Sequence, residues 1–249
     1  MVFEHNKKWA YFLPNTFTCL NMACGFASVM LSMAGDFYKA ALVLILGAIF
    51  DSVDGRVARL TGTQSSFGEQ FDSMGDLISF GLAPAMLFYH RFLSGYGKVG
   101  MVISFIFLLC GALRLARFNA TINKISSDYF QGLPIPLGAL ALVGHVLLSL
   151  EFQDIINIPY FPFLYILFYS VLMISNIPFY SFKRSDWVRE NKKKVLLLIF
   201  LTLALIVIYE ELMVVVFVTT YVLSSISYFF LNREKLKGLF DPAVGGEHD

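Results

Sequence analysis

The chain has 249 residues, of which 57% are hydrophobic and only 15% charged, and a mean hydropathy of +0.67. That is too apolar for a water-soluble domain of this length and makes a lipid bilayer the expected solvent. A formal net charge of +1 gives no argument for a nucleic-acid partner, and none is expected.

Each helical span needs about 20 mostly apolar residues, and eight such stretches are expected along the chain. They run from Thr16 to Ala34, Tyr38 to Val57, Phe71 to Phe92, Val99 to Phe118, Leu133 to Leu150, Phe161 to Phe182, Val195 to Tyr209 and Leu212 to Leu231. The expected fold class is therefore an all-α polytopic membrane bundle of about eight helices. Residues 1–13 form a short cytoplasmic or interfacial segment, with Trp9, Tyr11 and Phe12 beside Lys7 and Lys8 before Pro14 opens the first span. Residues 14–232 form the transmembrane catalytic domain and residues 233–249 a cytoplasmic tail.

Charge is distributed one-sidedly. Placing the N-terminus in the cytoplasm puts sixteen of the nineteen lysines and arginines on the cytoplasmic side, leaving Lys39, Arg91 and Lys98 on the other. The positive-inside rule then gives an even span count and two cytoplasmic termini. The first apolar stretch is full-length and lacks a cleavage site, so it reads as an anchor. Cys19, Cys24 and Cys110 fall inside spans without metal-like spacing and are expected to pack. His5, His90, His145 and His248 have no partner at useful spacing and receive no metal role. The basic loop from Lys183 to Lys194 reads as a topology determinant, and the last two spans as a scaffold hairpin joined by Glu210 and Glu211.

The informative segment is Asp51-Ser-Val-Asp54-Gly55-Arg-Val-Ala58-Arg59, followed after eight residues by Gly68-Glu-Gln-Phe-Asp72-Ser-Met-Gly-Asp76. Asp51 and Asp54 are three apart and Asp72 and Asp76 four apart, so each pair shares one face of its helix. If the two helices turn near Thr63, Asp54 and Asp72 lie at one depth, roughly 14 Å from the turn. Asp51 and Asp76 form a second level roughly 19 Å away. Four carboxylates so close to hydrocarbon repel one another and call for hard divalent cations, Mg or Mn by their preference for oxygen. Such ions bridge diphosphates, so phosphoryl-type transfer is the matching chemistry. Gly55, Ala58 and Gly68 would admit a nucleotide close to the backbone, although tight helix packing explains small residues equally well. Salt bridges from Arg56 and Arg59 are the plain alternative for the aspartates, but two arginines cannot neutralise four carboxylates. An ion site of a transporter is a further alternative. It fits poorly, because these aspartates gather at the cytoplasmic end beside glycines rather than at mid-membrane.

The pattern D-x-x-D-G-x-x-A-R-x8-G-x3-D-x3-D resembles the signature of the CDP-alcohol phosphotransferase family at every fixed position. The resemblance implies that Asp51, Asp54, Asp72 and Asp76 bind divalent ions beside the diphosphate of a CDP-lipid, and that Asp76 is the base for the incoming hydroxyl. It also implies a homodimer. Asn15, Thr18 and Asn21 form a helical stripe that could face the nucleotide pocket, capping and packing being the alternative. The expected CDP-lipid contacts are Asn15, Thr18, Asp54, Gly55, Ala58, Arg59 and Gly68.

Arg114, Arg117 and Asn119 sit at the cytoplasmic end of the fourth span, and a guanidinium fork suits a carboxylate. They equally satisfy the positive-inside rule or a lipid phosphate. The runs Leu113 to Asn119, Gly132-Leu-Pro134-Ile-Pro136, Ser79-Phe-Gly81 and Pro84 look like those of the integral-membrane phosphatidylserine synthases, a likeness covering residues 14–138. It implies CDP-diacylglycerol as donor, L-serine as acceptor with Arg114, Arg117 and Asn119 as its contacts, and a bacterial inner membrane with the site on the cytoplasmic face. Glycerol 3-phosphate or an inositol phosphate is the competing acceptor.

Overall fold

The computed structural model describes residues 2–121, 129–152, 158, 160–180 and 209–232. The basic loop, the tail and all of the seventh expected span except Tyr209 lie outside them.

Helix α1 runs from Val2 to Met33. Pro14 lies inside it, so the break expected there does not occur. The missing Pro14 N–H leaves one carbonyl a turn earlier without its helical donor, a cost a long helix can absorb; separately, Thr18 Oγ1 donates to the Pro14 carbonyl at 3.3 Å. Helix α2, Phe37–Thr61, starts at the N-cap Asp36, whose side chain accepts from the Lys39 amide. It stops at Gly62, which adopts the left-handed conformation (φ 64°) and bonds back to Ala58 and Arg59. The two helices pack antiparallel: Ser28 Oγ reaches the Ala40 carbonyl at 2.9 Å and Thr18 reaches Asp54 at 2.9 Å. A Cβ on Gly47 would come within 3.1 Å of Asn21 and Cys24.

Ser65 caps α3, Ser66–Asp76, by accepting from the Gly68 amide at 3.0 Å. The helix does not end at Asp76. It widens into a π-helical turn over Leu77–Leu82, resumes as α4, Ala83–Phe88, and widens again over Tyr89–Leu93. The chain then reverses at Gly97 (φ 57°) into α5, Gly97–Thr121. The reversal is read from side-chain pairings: Asn119 bonds Ser73, Gly81 abuts Leu108 and Gly100 abuts Leu93. The helical stretch from Ser66 to Thr121 is therefore an antiparallel hairpin.

After α5 come β1, Tyr129–Gln131; α6, Ile135–Glu151; α7, Phe161–Ile174; β2, Pro178–Tyr180; and α8, Glu210–Leu231. The sixth expected span thus stops at Ile174, eight residues short. The residue before a proline is pushed out of the helical region, and Pro178 itself belongs in an extended edge. The fold is mainly helical, with one departure from the all-helical expectation: β1 and β2 form a small antiparallel ribbon pairing Phe130 with Phe179 and Gln131 with Pro178.

Phe80, Phe88, Phe107, Leu142, Ile166 and Met173 fill the centre between α4, α5, α6 and α7. His145 packs there as expected of a core residue, among Phe88, Phe92, Phe161 and Tyr165. Among the described residues, three helical stretches are long and apolar enough to cross a bilayer: Leu13–Met33, Ser66–Thr121 and Leu212–Leu231. Large apolar side chains face outward along them, including Phe26 and Met30 on α1, Phe105 and Leu109 on α5, and Phe217 and Phe230 on α8. In water such a surface would drive aggregation; in hydrocarbon it is the matched exterior of an integral membrane bundle.

Candidate metal and active site

The turn between α2 and α3 is tight because both of its ends are capped, by Gly62 and by Ser65. It brings the two aspartate pairs back alongside each other. Asp51, Asp72 and Asp76 each offer a carboxylate oxygen, and these oxygens lie within 4.8 Å of one another. Asp72 Oδ1 and Asp76 Oδ1 are buried and have no hydrogen-bond partner among the described residues. Two orphaned anionic acceptors in a low-dielectric site carry a large unmet electrostatic cost. An all-oxygen donor set of this size suits a hard divalent cation.

Asp54 is not one of this mutually close trio, although it lies near enough to Asp72 and Asp51 to repel them. It is 4% exposed, and its Oδ2 accepts from Thr18 while its Oδ1 accepts from the Gly55 amide. The salt-bridge alternative finds no support, because Arg56 and Arg59 form no ion pair among the described residues, where Lys39 with Asp36 is the single such pair.

Helix α1 forms the wall of the site. Fully buried Asn21 donates Nδ2 to Asp51 Oδ1 at 3.4 Å, and its carbonyl accepts from Ser79 at 2.9 Å. Asn15 Oδ1 lies 3.8 Å from where a Cβ on Gly68 would sit, and the Arg59 guanidinium lies 3.7 Å from the corresponding point on Gly55. Asn15 thus adjoins Gly68, Arg59 folds back over Gly55, and Thr18 engages Asp54. The Ala58 carbonyl accepts from the Gly62 and Thr63 amides that end α2.

The three acceptor candidates on α5 differ. Arg114 is buried, with its guanidinium 5.2 Å from the Phe118 ring centroid, and it makes no hydrogen bond among the described residues. Arg117 is engaged elsewhere. Its two terminal nitrogens donate to the carbonyls of Gln131, Met173, Ile174 and Ser175 and to the Asn176 side chain. Asn119 donates to Ser73 at 3.0 Å, next to Asp72. The sequence placed Asn21 only in a stripe that could face the nucleotide pocket and gave Ser73 no role. Asn21 was visible as part of the α1 stripe, whereas Ser73 carries no signal until α5 is folded against α3.

A membrane helical bundle with a cluster of acidic oxygens at one end is the class these features define. Residues 11–175 match the model of the CDP-alcohol phosphatidyltransferases, and the chain belongs to that family. A CDP-diacylglycerol–serine O-phosphatidyltransferase of Helicobacter pylori is 39% identical over 178 residues, covering 71% of this chain and 75% of that protein. One of Methanocaldococcus jannaschii is 41% identical over 162 residues, 65% of this chain and 70% of that protein. An archaetidylserine synthase of Methanothermobacter thermautotrophicus is 36% identical over 169 residues, 67% of this chain and 69% of that protein.

Proposed function

We propose that the chain transfers the phosphatidyl group of CDP-diacylglycerol to L-serine, giving phosphatidylserine and CMP. The observation that carries the reading is the convergence of Asp51, Asp72 and Asp76 within 4.8 Å in a chain that resembles serine O-phosphatidyltransferases over most of its length.

Asp51, Asp72 and Asp76, with Asp54 adjoining, would hold divalent metal, Mg or Mn. Bound there, it would neutralise charge on the diphosphate and on the departing CMP. Asn15, Thr18, Asp54, Gly55, Ala58, Arg59 and Gly68 border the place for the cytidine diphosphate, where small residues leave the backbone accessible. The serine Oγ attacks the lipid-side phosphorus, a new Oγ–P bond forms, and the P–O bond to CMP breaks. Asp76 takes the hydroxyl proton and CMP leaves as a phosphate monoester. Arg114 suits the serine carboxylate because it is buried, makes no hydrogen bond among the described residues and lies at the depth of Asp76 in the α3–α5 hairpin. Asn119 steadies the α3 turn that carries Asp72.

The reading includes eight spans, cytoplasmic termini, a site at the cytoplasmic face of a bacterial inner membrane and a homodimer. Supplying the purified protein with CDP-diacylglycerol and serine, glycerol 3-phosphate or inositol phosphate in turn tests the acceptor. Serine-dependent CMP release is the expected result, and CMP release with a phosphorylated alcohol alone would replace this reading. The archaetidylserine synthase relative motivates an ether-lipid donor in a parallel assay.

A further inference from the structure

We infer that Arg117 is not a contact of the acceptor but a latch that positions Arg114 and closes the wall of the site. The inference rests on the serine reading above and assigns the second of two arginines that the sequence leaves equivalent.

Both terminal nitrogens of Arg117 are engaged, four of their five bonds going to backbone carbonyls. Its Nη2 reaches the carbonyls of Gln131 at 2.8 Å, Met173 at 3.2 Å and Ser175 at 3.2 Å, and its Nη1 reaches Ile174 at 3.0 Å. Met173 and Ile174 are the last residues of α7, whose terminal carbonyls have no partner within the helix and carry its negative dipole end. A guanidinium satisfies several of them at once and matches the dipole; an ammonium would satisfy fewer. Gln131 lies on β1, so one side chain of α5 ties together α7 and the ribbon. Asn176 takes part from the far side, accepting from both Arg117 and Gln131 Nε2.

The backbone is shaped for this engagement. Gly132 adopts φ 78°, and a Cβ there would collide with the Met173 and Ser175 carbonyls and lie 2.8 Å from Arg117 Nη2. Its amide donates to the Ile177 carbonyl at 2.9 Å, and the next amide, Leu133, to Leu172 at 3.0 Å. Arg114 lies one turn before Arg117 on α5. With Asn119 fastened to Ser73 on one side and Arg117 to α7 on the other, the last turn of α5 is held at two points, and Arg114, one turn before them, is fixed with it on the side of Asp76.

A latch is disturbed from either end, whereas a direct serine contact is disturbed only at Arg117. The test therefore uses Arg117→Lys and Gly132→Ala in the full-length protein in detergent, with kcat and KM for serine, CDP-diacylglycerol binding and melting temperature measured for each. Both variants are expected to raise the serine KM by about 10-fold, the scale of a modest misplacement of a binding group, with a much smaller change in donor binding. Neither is expected to raise it further in an Arg114→Ala background. Should Gly132→Ala fail to fold, Asn176→Ala takes its place with the same expectation at smaller size. A serine KM that responds to Arg117→Lys but not to the partner-side variants would make Arg117 a direct contact. A fall in kcat and melting temperature without a serine-specific KM change would make it merely structural. Either result overturns the latch. If the parent protein releases no CMP with serine, the serine reading fails separately. The latch is then read from melting alone: the Arg117→Lys, Gly132→Ala double variant is expected to be no less stable than the worse single variant, and additive losses overturn it.

Discussion

Thr18 on α1 donates its hydroxyl to the buried carboxylate of Asp54 on α2 at 2.9 Å, joining the first helix to the catalytic hairpin across 36 residues of chain. The bond gives Asp54 Oδ2 a donor on another helix. Removing the hydroxyl in Thr18→Ala leaves a buried anionic acceptor without its side-chain donor and should cost about 1–3 kcal/mol. Thr18→Ser should restore most of it. The loss is read as a lower melting temperature and weaker CDP-lipid binding; equal behaviour of the alanine and serine variants would remove Thr18 from this role.

The carboxylate trio predicts an unequal response to neutralisation. Asp51→Asn, Asp72→Asn and Asp76→Asn each remove an anionic oxygen from the cluster and should raise the Mn concentration needed for half-maximal activity by at least about 10-fold, on the scale of a lost charged interaction. Asp54→Asn should shift it less while weakening the donor more, because Asp54 is already engaged by Thr18. Chelator should silence the parent enzyme. Identical metal titrations for all four variants would refute the division.

A role for Asp76 as base requires that turnover fall more than binding. Asp76→Asn should lose about 10²-fold or more in kcat, the usual scale of acid–base catalysis, while CDP-diacylglycerol still binds measurably by calorimetry. Parallel loss of binding and turnover would identify Asp76 as a metal ligand alone.

Arg114 should govern serine. A charged hydrogen bond is typically worth about 1.5–3 kcal/mol, so Arg114→Ala should raise the serine requirement by roughly 10- to 150-fold with little change in donor affinity. Arg114→Lys keeps the charge but loses the planar fork and should fall between the two. Normal serine kinetics with weakened donor binding would transfer Arg114 to the lipid or nucleotide.

Close packing of α1 on the helix that follows Asp76 predicts a purely structural effect. A Cβ added at Gly25 would come 2.9 Å from the Ser79 backbone and 2.7 Å from its hydroxyl. Gly25→Ala should therefore destabilise by about 1–3 kcal/mol through overpacking, visible as a lower melting temperature with unchanged metal dependence. An unaltered melting curve would contradict the packing described.

The catalytic hairpin was legible in the sequence because its signal is local. Three- and four-residue spacings put carboxylates on helix faces, and the small and capping residues between Thr61 and Gly68 give the turn. The separate hydroxyl donor of Asp54 was not legible, since it is Thr18, 36 residues away. Arg114 and Arg117 could not be told apart either. Both lie at the polar end of an apolar helix, and only the distant α7 carbonyls draw one of them away. Pro14 misled because proline normally opens a helix, whereas α1 continues through it from Val2 to Met33. The early stop of α7 was written in Asn176-Ile177-Pro178 but was masked by the apolar residues on both sides.

The π-helical turn over Leu77–Leu82 begins immediately after Asp76. Such a turn spends one more residue per revolution than an α-helix, so it shifts the angular phase of everything beyond it by about 100°, the rotation per residue implied by 3.6 residues per turn. The half carrying Asp72 and Asp76 is thereby aimed at the site, while the half carrying Leu87 and Phe88 is aimed independently into the apolar centre. Deleting one residue within Leu77–Leu82 would regularise the hydrogen bonding and yet swing these two halves out of alignment. The irregular turn acts as a phase adjuster, which lets one continuous helix answer to two separate geometric demands.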